Sequence, residues 1–226
     1  MKRKWLALAL AFVMCPMSLC AWAEQQHERA NVPSGHWIWI DIHRKALTLY
    51  EGTEAKKTWP VATGAWQTPT PIGVFTITHR FWGELGGFGT RFLGLNVPWG
   101  QFGIHGTNKP GSIGSNASHG CIRMHVKDSE ELYGLVGVGT KVVIEGGSYG
   151  FLDQGLRELS PGDRGSHVAA VQARLMQLGY MYQWPDGVYG QATQQAVLKA
   201  RKALGLPDKD RVDAAFYKAI GLICFE

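Results

Sequence analysis

From residue 36 onward the chain carries short apolar runs with a period near two. Residues 37–42 are apolar and partly alternating, 47–50 follow, and 74–77 sit behind a turn set by Pro69, Pro71 and Gly73. Such runs, punctuated by Gly and Pro, predict strands. Asp128 with Glu131 has the spacing of a capping box and predicts a short helix ending near Leu135, after which 141–144 reads as a closing strand. The aromatic residues Phe81, Trp82, Phe88 and Phe92 around the Gly-rich stretch 83–94 read in two ways. They form a long loop over a cleft, or they cover one face of a sheet. The segment 36–145 is therefore expected to be a mainly β domain, with 146–155 as a Gly-rich linker. Beyond it, in 156–224, the period becomes helical. Val168, Val171, Leu175 and Leu178 share one face, Ala196, Val197, Ala200 and Leu204 another, and a small three-helix domain is expected. Pro185-Asp186-Gly187 is weakly echoed by Pro207-Asp208-Lys209, each ahead of a predicted helix. Read locally, Asp186-Gly187 is a turn and Asp213 a helix cap.

The first residues change the picture of where the protein acts. Lys2, Arg3 and Lys4 precede an apolar run, Pro16 breaks it, and Ala21-Trp22-Ala23 supplies small residues for cleavage. Residues 1–23 thus read as a signal peptide, with an uncleaved anchor as the alternative. Cys15 and Cys20 follow Met14 and Leu19, which does not suit lipoprotein processing. The expected product is exported, to periplasm or cell wall, with no stable membrane insertion after cleavage. Of 23 Lys and Arg, three leave with this segment, so 20 face 18 Asp and Glu. That mild excess suits soft attraction to an anionic polymer and forms no basic stripe, so a nucleic-acid partner is not expected. Glycine numbers 29 without a Gly-X-Y period, which excludes a collagen-like chain.

Cleavage leaves Cys121 and Cys224. An exported protein ordinarily pairs its cysteines, yet Cys224 lies near the chain end while Cys121 sits in the unusual loop Ser118-His119-Gly120-Cys121. Two free thiols, one of them reactive, are the favoured reading. Upstream stands Ile104-His105-Gly106-Thr107. A thiol is only slightly ionised at neutral pH, so a histidine that takes its proton makes it a competent acyl-transfer nucleophile. Gly120 lets successive N–H groups, including that of Cys121, turn toward the oxygen that becomes negative. The same residues admit two other readings. His105, His119, Cys121 and His125 are zinc-ligand types, although no CxxC or HExxH pair anchors a set, and no metal or other cofactor is expected. Alternatively, His119 and Cys121 merely fill a tight loop.

These two segments, with Thr70-Pro71-Ile72-Gly73-Val74-Phe75 upstream, resemble the signature of the L,D-transpeptidase (YkuD-like) catalytic domain. The resemblance covers 36–145. It implies a β-sandwich in which Cys121 is the nucleophile, His105 the general base and the Gly106 carbonyl its orienting partner. His119, Gly120 and Cys121 supply oxyanion donors by the same resemblance, and Ser118 supports the loop. Arg123 either meets a substrate carboxylate or braces the site, and no family role transfers to His125. The implied reaction is attack on an L,D peptide bond of a peptidoglycan stem, expulsion of D-alanine, and aminolysis of the thioester to a 3,3 cross-link. An L,D-carboxypeptidase or cross-link hydrolase of the same fold, or a non-catalytic wall-binding protein, remain the alternatives. The helical segment, through Leu159-Ser160-Pro161-Gly162-Asp163 and Asp186-Gly187, is similar to a three-helix peptidoglycan-binding domain. Ala200-Arg201 stands where that family has Phe-Gln, and Lys209 replaces a turn glycine. Peptidoglycan stem peptides and glycan are the implied partners.

Overall fold

The computed structural model describes residues 35–84, 86–146, 150 and 155–223. The expected signal peptide 1–23, most of the linker and Cys224 lie outside the described residues.

Ten strands precede the last three helices. They are β1 (His36–Asp41), β2 (Ala46–Glu51), β3 (Glu54–Pro60), β4 (Thr63–Gly64), β5 (Gly73–Trp82), β6 (Arg91–Leu95), β7 (Phe102–Gly106), β8 (Asn116–Ser118), β9 (Ile122–Met124) and β10 (Lys141–Glu145). Eight of them form one sheet in the order β3-β2-β1-β10-β5-β6-β7-β9, and β4 with β8 forms a small second one. The ten-residue β5 belongs to both halves of the large sheet. It pairs through Gly73 and Thr76 with β10, then shifts register between Ile77 and His79 and pairs with β6. Both halves feed a single apolar core, with Ile38, Leu49 and Trp59 from one and Leu93, Ile104 and Ile122 from the other. The alternation read from the sequence explains this: Ile38 and Ile40 point inward and are fully buried.

The aromatic stretch resolves mostly into sheet. Phe81 pairs with Phe92 and Trp82 with Arg91 across the β5–β6 hairpin, and only Phe88 sits in the turn, on a 3-10 segment Gly86–Phe88. The helix α1 (Val126–Leu135) starts ahead of the expected cap, because His125 takes the capping position without a side-chain bond. Asp128 then lies inside the first turn. Glu131 turns away to Lys57 at 2.6 Å and to the Trp59 indole at 3.3 Å, so the capping box does not form.

Helices α2 (Ser166–Gln177), α3 (Gln191–Ala203) and α4 (Ala214–Ala219) enclose a second apolar core that includes Val168, Val171, Leu175, Ala196, Val197 and Ala200. Leu178 and Leu204, the last member of each predicted face, are 39% exposed because each stands just past its helix end, followed by a left-handed glycine, Gly179 or Gly205. Asp213 caps α4 by accepting from the Phe216 N–H at 2.9 Å. The weak sequence echo has a physical counterpart. Gln172 on α2 grips the following loop through Asp186 and the Gly187 N–H, and Arg201 on α3 grips its own following loop through the Arg211 and Pro207 carbonyls. No described helix is long and apolar enough to cross a membrane.

Candidate active site

Strands β7 and β9 lie side by side and parallel, with Ile104 opposite Ile122 and His105 opposite Arg123. Both isoleucines enter the core, 1% and 0% exposed. Because side chains alternate along a strand, His105, Arg123, Cys121 and Gly103 share the opposite face. Cys121 stands level with Gly103, two residues along from His105. That is roughly 6–7 Å along the strand and about 4.8 Å across it for the backbones, a diagonal on one face of the sheet. The two are diagonal neighbours, and no hydrogen bond joins them among the described residues.

His105 is only 2% exposed, although it faces away from the core. Two aromatic rings cover it. Phe92 lies parallel to the imidazole at 5.8 Å between centroids, and Phe88 meets it edge-on at 4.7 Å. Nδ1 of His105 donates to the Gly106 carbonyl. A carbonyl only accepts, so that nitrogen holds the proton in the neutral ring and Nε2 carries the free lone pair. Burial drives the imidazole pKa down to about 4, against the Gly106 bond that raises it, and the Arg123 charge lowers it further. At neutral pH the ring is therefore a neutral base.

Cys121 is a free, partly exposed thiol. Burial pushes it up from the ordinary thiol value, while a backbone hydrogen bond at Gly103 and the charge of Arg123 pull it down. The resting pair is thus thiol and imidazole, not thiolate and imidazolium.

The loop ahead of Cys121 is fixed by one hydroxyl. Ser118 Oγ donates to the Cys121 carbonyl and accepts from the Gly120 N–H at 3.0 Å. Gly120 has φ +108, and a Cβ there would stand 2.5 Å from the Phe102 ring, so glycine alone fits. The Gly120 amide is engaged by Ser118, whereas the amides of His119 and Cys121 take no acceptor among the described residues. The His119 side chain is exposed, and His125 is half-buried at the capping position of α1. Arg123 is bridged to Ala62 through backbone bonds in both directions, and its guanidinium has no carboxylate partner among the described residues. Among those residues no group of three or more His, Cys, Asp and Glu is arranged to hold a metal.

Sequence reasoning missed Gly103 and Ala62, and it singled out Phe88 and Phe92 without placing them on His105. The alternation of Gly103 and His105 along β7 was a readable signal for the first. The others depend on hairpin and cross-strand pairings that no local pattern announces.

Comparison with known proteins adds context. Residues 35–144 match the family model of the L,D-transpeptidase catalytic domain, and residues 164–220 match one provisionally described as a peptidoglycan binding domain. Bacillus subtilis YkuD, provisionally named an L,D-transpeptidase, is 46% identical over 107 residues, which cover 47% of this chain and 64% of that protein. YqjB of the same organism, also provisionally so named, is 30% identical over 128 residues, covering 50% of this chain and 73% of the relative. This chain thus spans under two thirds of YkuD. Among solved structures, L,D-transpeptidase 3 from Mycobacterium tuberculosis aligns with a TM-score of 0.45 at 16% identity, over 49% of this chain and 61% of that one.

Proposed function

Because this chain belongs to the L,D-transpeptidase family, we propose that it is an exported cysteine acyltransferase that cross-links peptidoglycan stems. The observation that carries the reading is the common face of β7 and β9, which holds a free thiol diagonally beside an imidazole whose Nε2 is unprotonated. The reaction begins as Nε2 takes the thiol proton and the sulfur bonds to the carbonyl carbon of an L,D peptide bond, at the L-centre of the third stem residue. The resulting oxyanion is met by the amides of His119 and Cys121; Gly120, held by Ser118, shapes the turn that aims them. Each such donor contributes about 3 kcal/mol to the barrier when removed. The C–N bond then breaks, His105 returns its proton to the departing D-alanine amine, and a thioester remains on Cys121. The side-chain amine of a second stem attacks that thioester, gives its proton to His105, and restores the thiol as a 3,3 cross-link forms. The guanidinium of Arg123, which has no carboxylate partner among the described residues, supports the substrate-carboxylate role over bracing. Phe88 and Phe92, packed on the base, limit water at the ring and favour aminolysis. The scheme uses no cofactor.

Incubation of the mature protein with disaccharide-tetrapeptide, followed by mass spectrometry, tests this. D-alanine loss together with cross-linked dimers is expected. Tripeptide without dimers assigns the chain to the L,D-carboxypeptidase reading, and cleavage of supplied dimers to the cross-link hydrolase. Wall binding without any turnover leaves a non-catalytic binder.

A further inference from the structure

The most exposed large aromatic residues of the described chain are not at the thiol. Tyr182 is 86% and Trp184 83% exposed, both on the loop that joins α2 to α3. That loop is not loose. Gln172, 1% exposed, donates to the Asp186 carboxylate at 2.8 Å and accepts from the Gly187 N–H at 2.8 Å, which fixes the chain immediately after Trp184. It is also pressed against the β half: a Cβ on Gly187 would stand 2.2 Å from the Trp99 ring, so only glycine permits this approach. Trp99 begins the short segment leading to Phe102, whose ring in turn bounds Gly120 beside the nucleophile. Two exposed rings are therefore presented from a fixed loop whose footing leads directly to the Cys121 loop.

We propose that Tyr182 and Trp184 form a sugar-stacking platform that holds the glycan strand of the polymeric wall alongside the Cys121 site. The chemistry favours a saccharide. A pyranose ring offers an apolar C–H face to an aromatic ring and polar groups at its edge, and Tyr and Trp themselves combine an apolar body with a polar tip. A protein partner would call for a contiguous apolar area, but here Gln183 and Asp186 are exposed between and beside the rings. The platform rests on the peptidoglycan reading above and extends it: the helical half reads the glycan while the β half acts on the stem. It also explains how the module engages the wall although Ala200-Arg201 replaces the residues usual in its family.

The test uses the full mature chain with Tyr182→Ala and Trp184→Ala combined, beside Trp184→Phe. Fluorescence titration with N-acetylglucosamine oligomers and co-sedimentation with insoluble peptidoglycan read binding; turnover is read on polymeric wall and on soluble disaccharide-tetrapeptide. The expected result is binding and polymer turnover weakened by at least about ten-fold in the double variant, with Trp184→Phe close to wild type. Turnover of the short soluble substrate stays at the wild-type level. Wild-type binding in the double variant overturns the proposal, and so does an equal loss on both substrates. A wild-type chain that binds glycan but turns over neither substrate sinks the transpeptidase reading and leaves the platform standing.

Discussion

His105 and Cys121 are both neutral in the resting site, which separates this pair from a preformed ion pair and dictates its pH behaviour. The imidazole titrates near 4 when folded, below its ordinary 6.5. The acid limb of kcat/KM should therefore fall near pH 4, and a limb at 6.5 contradicts the buried, Phe-covered ring. Stability follows with a definite sign. Between pH 6.5 and 4 the unfolded chain binds a proton that the folded one refuses, so the stability present above 6.5 declines as pH falls through that window and levels off below it. Thermal unfolding of wild type against His105→Gln across this window reads the difference, with the wild type losing more. The thiol's upward shift by burial predicts slow iodoacetamide labelling at neutral pH that rises only on the alkaline side of the ordinary thiol range. Labelling that is already complete in rate at pH 7 contradicts it. Of these residues, Cys121 and His105 were legible because two Gly-rich motifs carry them. That Phe88 and Phe92 land on His105 was not, since the β6–β7 register sets Phe92 opposite His105 and Phe88 comes from the turn ahead of β6.

At the scale of elements, strand alternation was legible and element ends were not. Ile38 and Ile40 announced β1 through a period of two, whereas α1 begins at Val126, with His125 at the capping position and Glu131 engaged by Lys57 instead of the helix terminus. Gly103 shows how a strand makes room for chemistry. Its Cβ position lies 2.5 Å from the Phe92 ring and 2.7 Å from the Leu93 carbonyl. Gly103→Ala is therefore expected to displace Phe92 from His105 and to lower turnover about ten-fold or more, beyond any loss of stability. Arg201 was read only as a departure from a family pattern. In the structure it is fully buried, meets Asp213 at 2.8 Å and satisfies two loop carbonyls. Arg201→Ala removes the buried guanidinium that bridges these groups and leaves a cavity in the core, and urea unfolding should show a loss of about 2–4 kcal/mol in the helical half. An unchanged midpoint removes Arg201 from the account of that half.

On the scale of the whole molecule, the change of period from two to 3.6 marked two kinds of structure, and two apolar cores are found. What no period reveals is that the cores belong to one compact unit, joined by side chains far apart in sequence. The Ile72 N–H donates to Ser166 Oγ at 2.9 Å, and Arg157 donates to the Trp66 carbonyl. Ser166→Ala should speed hydrogen exchange of the Ile72 amide while the exchange of β1 stays constant. Ile72 lies between the Thr70-Pro71 turn and β5, so this joint braces the wall behind the Cys121 loop. The measurement that bears most directly on that loop is intact-protein mass spectrometry of rapidly quenched reactions with disaccharide-tetrapeptide. A transient adduct with the mass of the acyl stem less D-alanine, mapped to Cys121, is predicted, absent in Cys121→Ala and at least about 100-fold slower in His105→Ala. Release of D-alanine by Cys121→Ala at the wild-type rate, with no adduct on either protein, contradicts it.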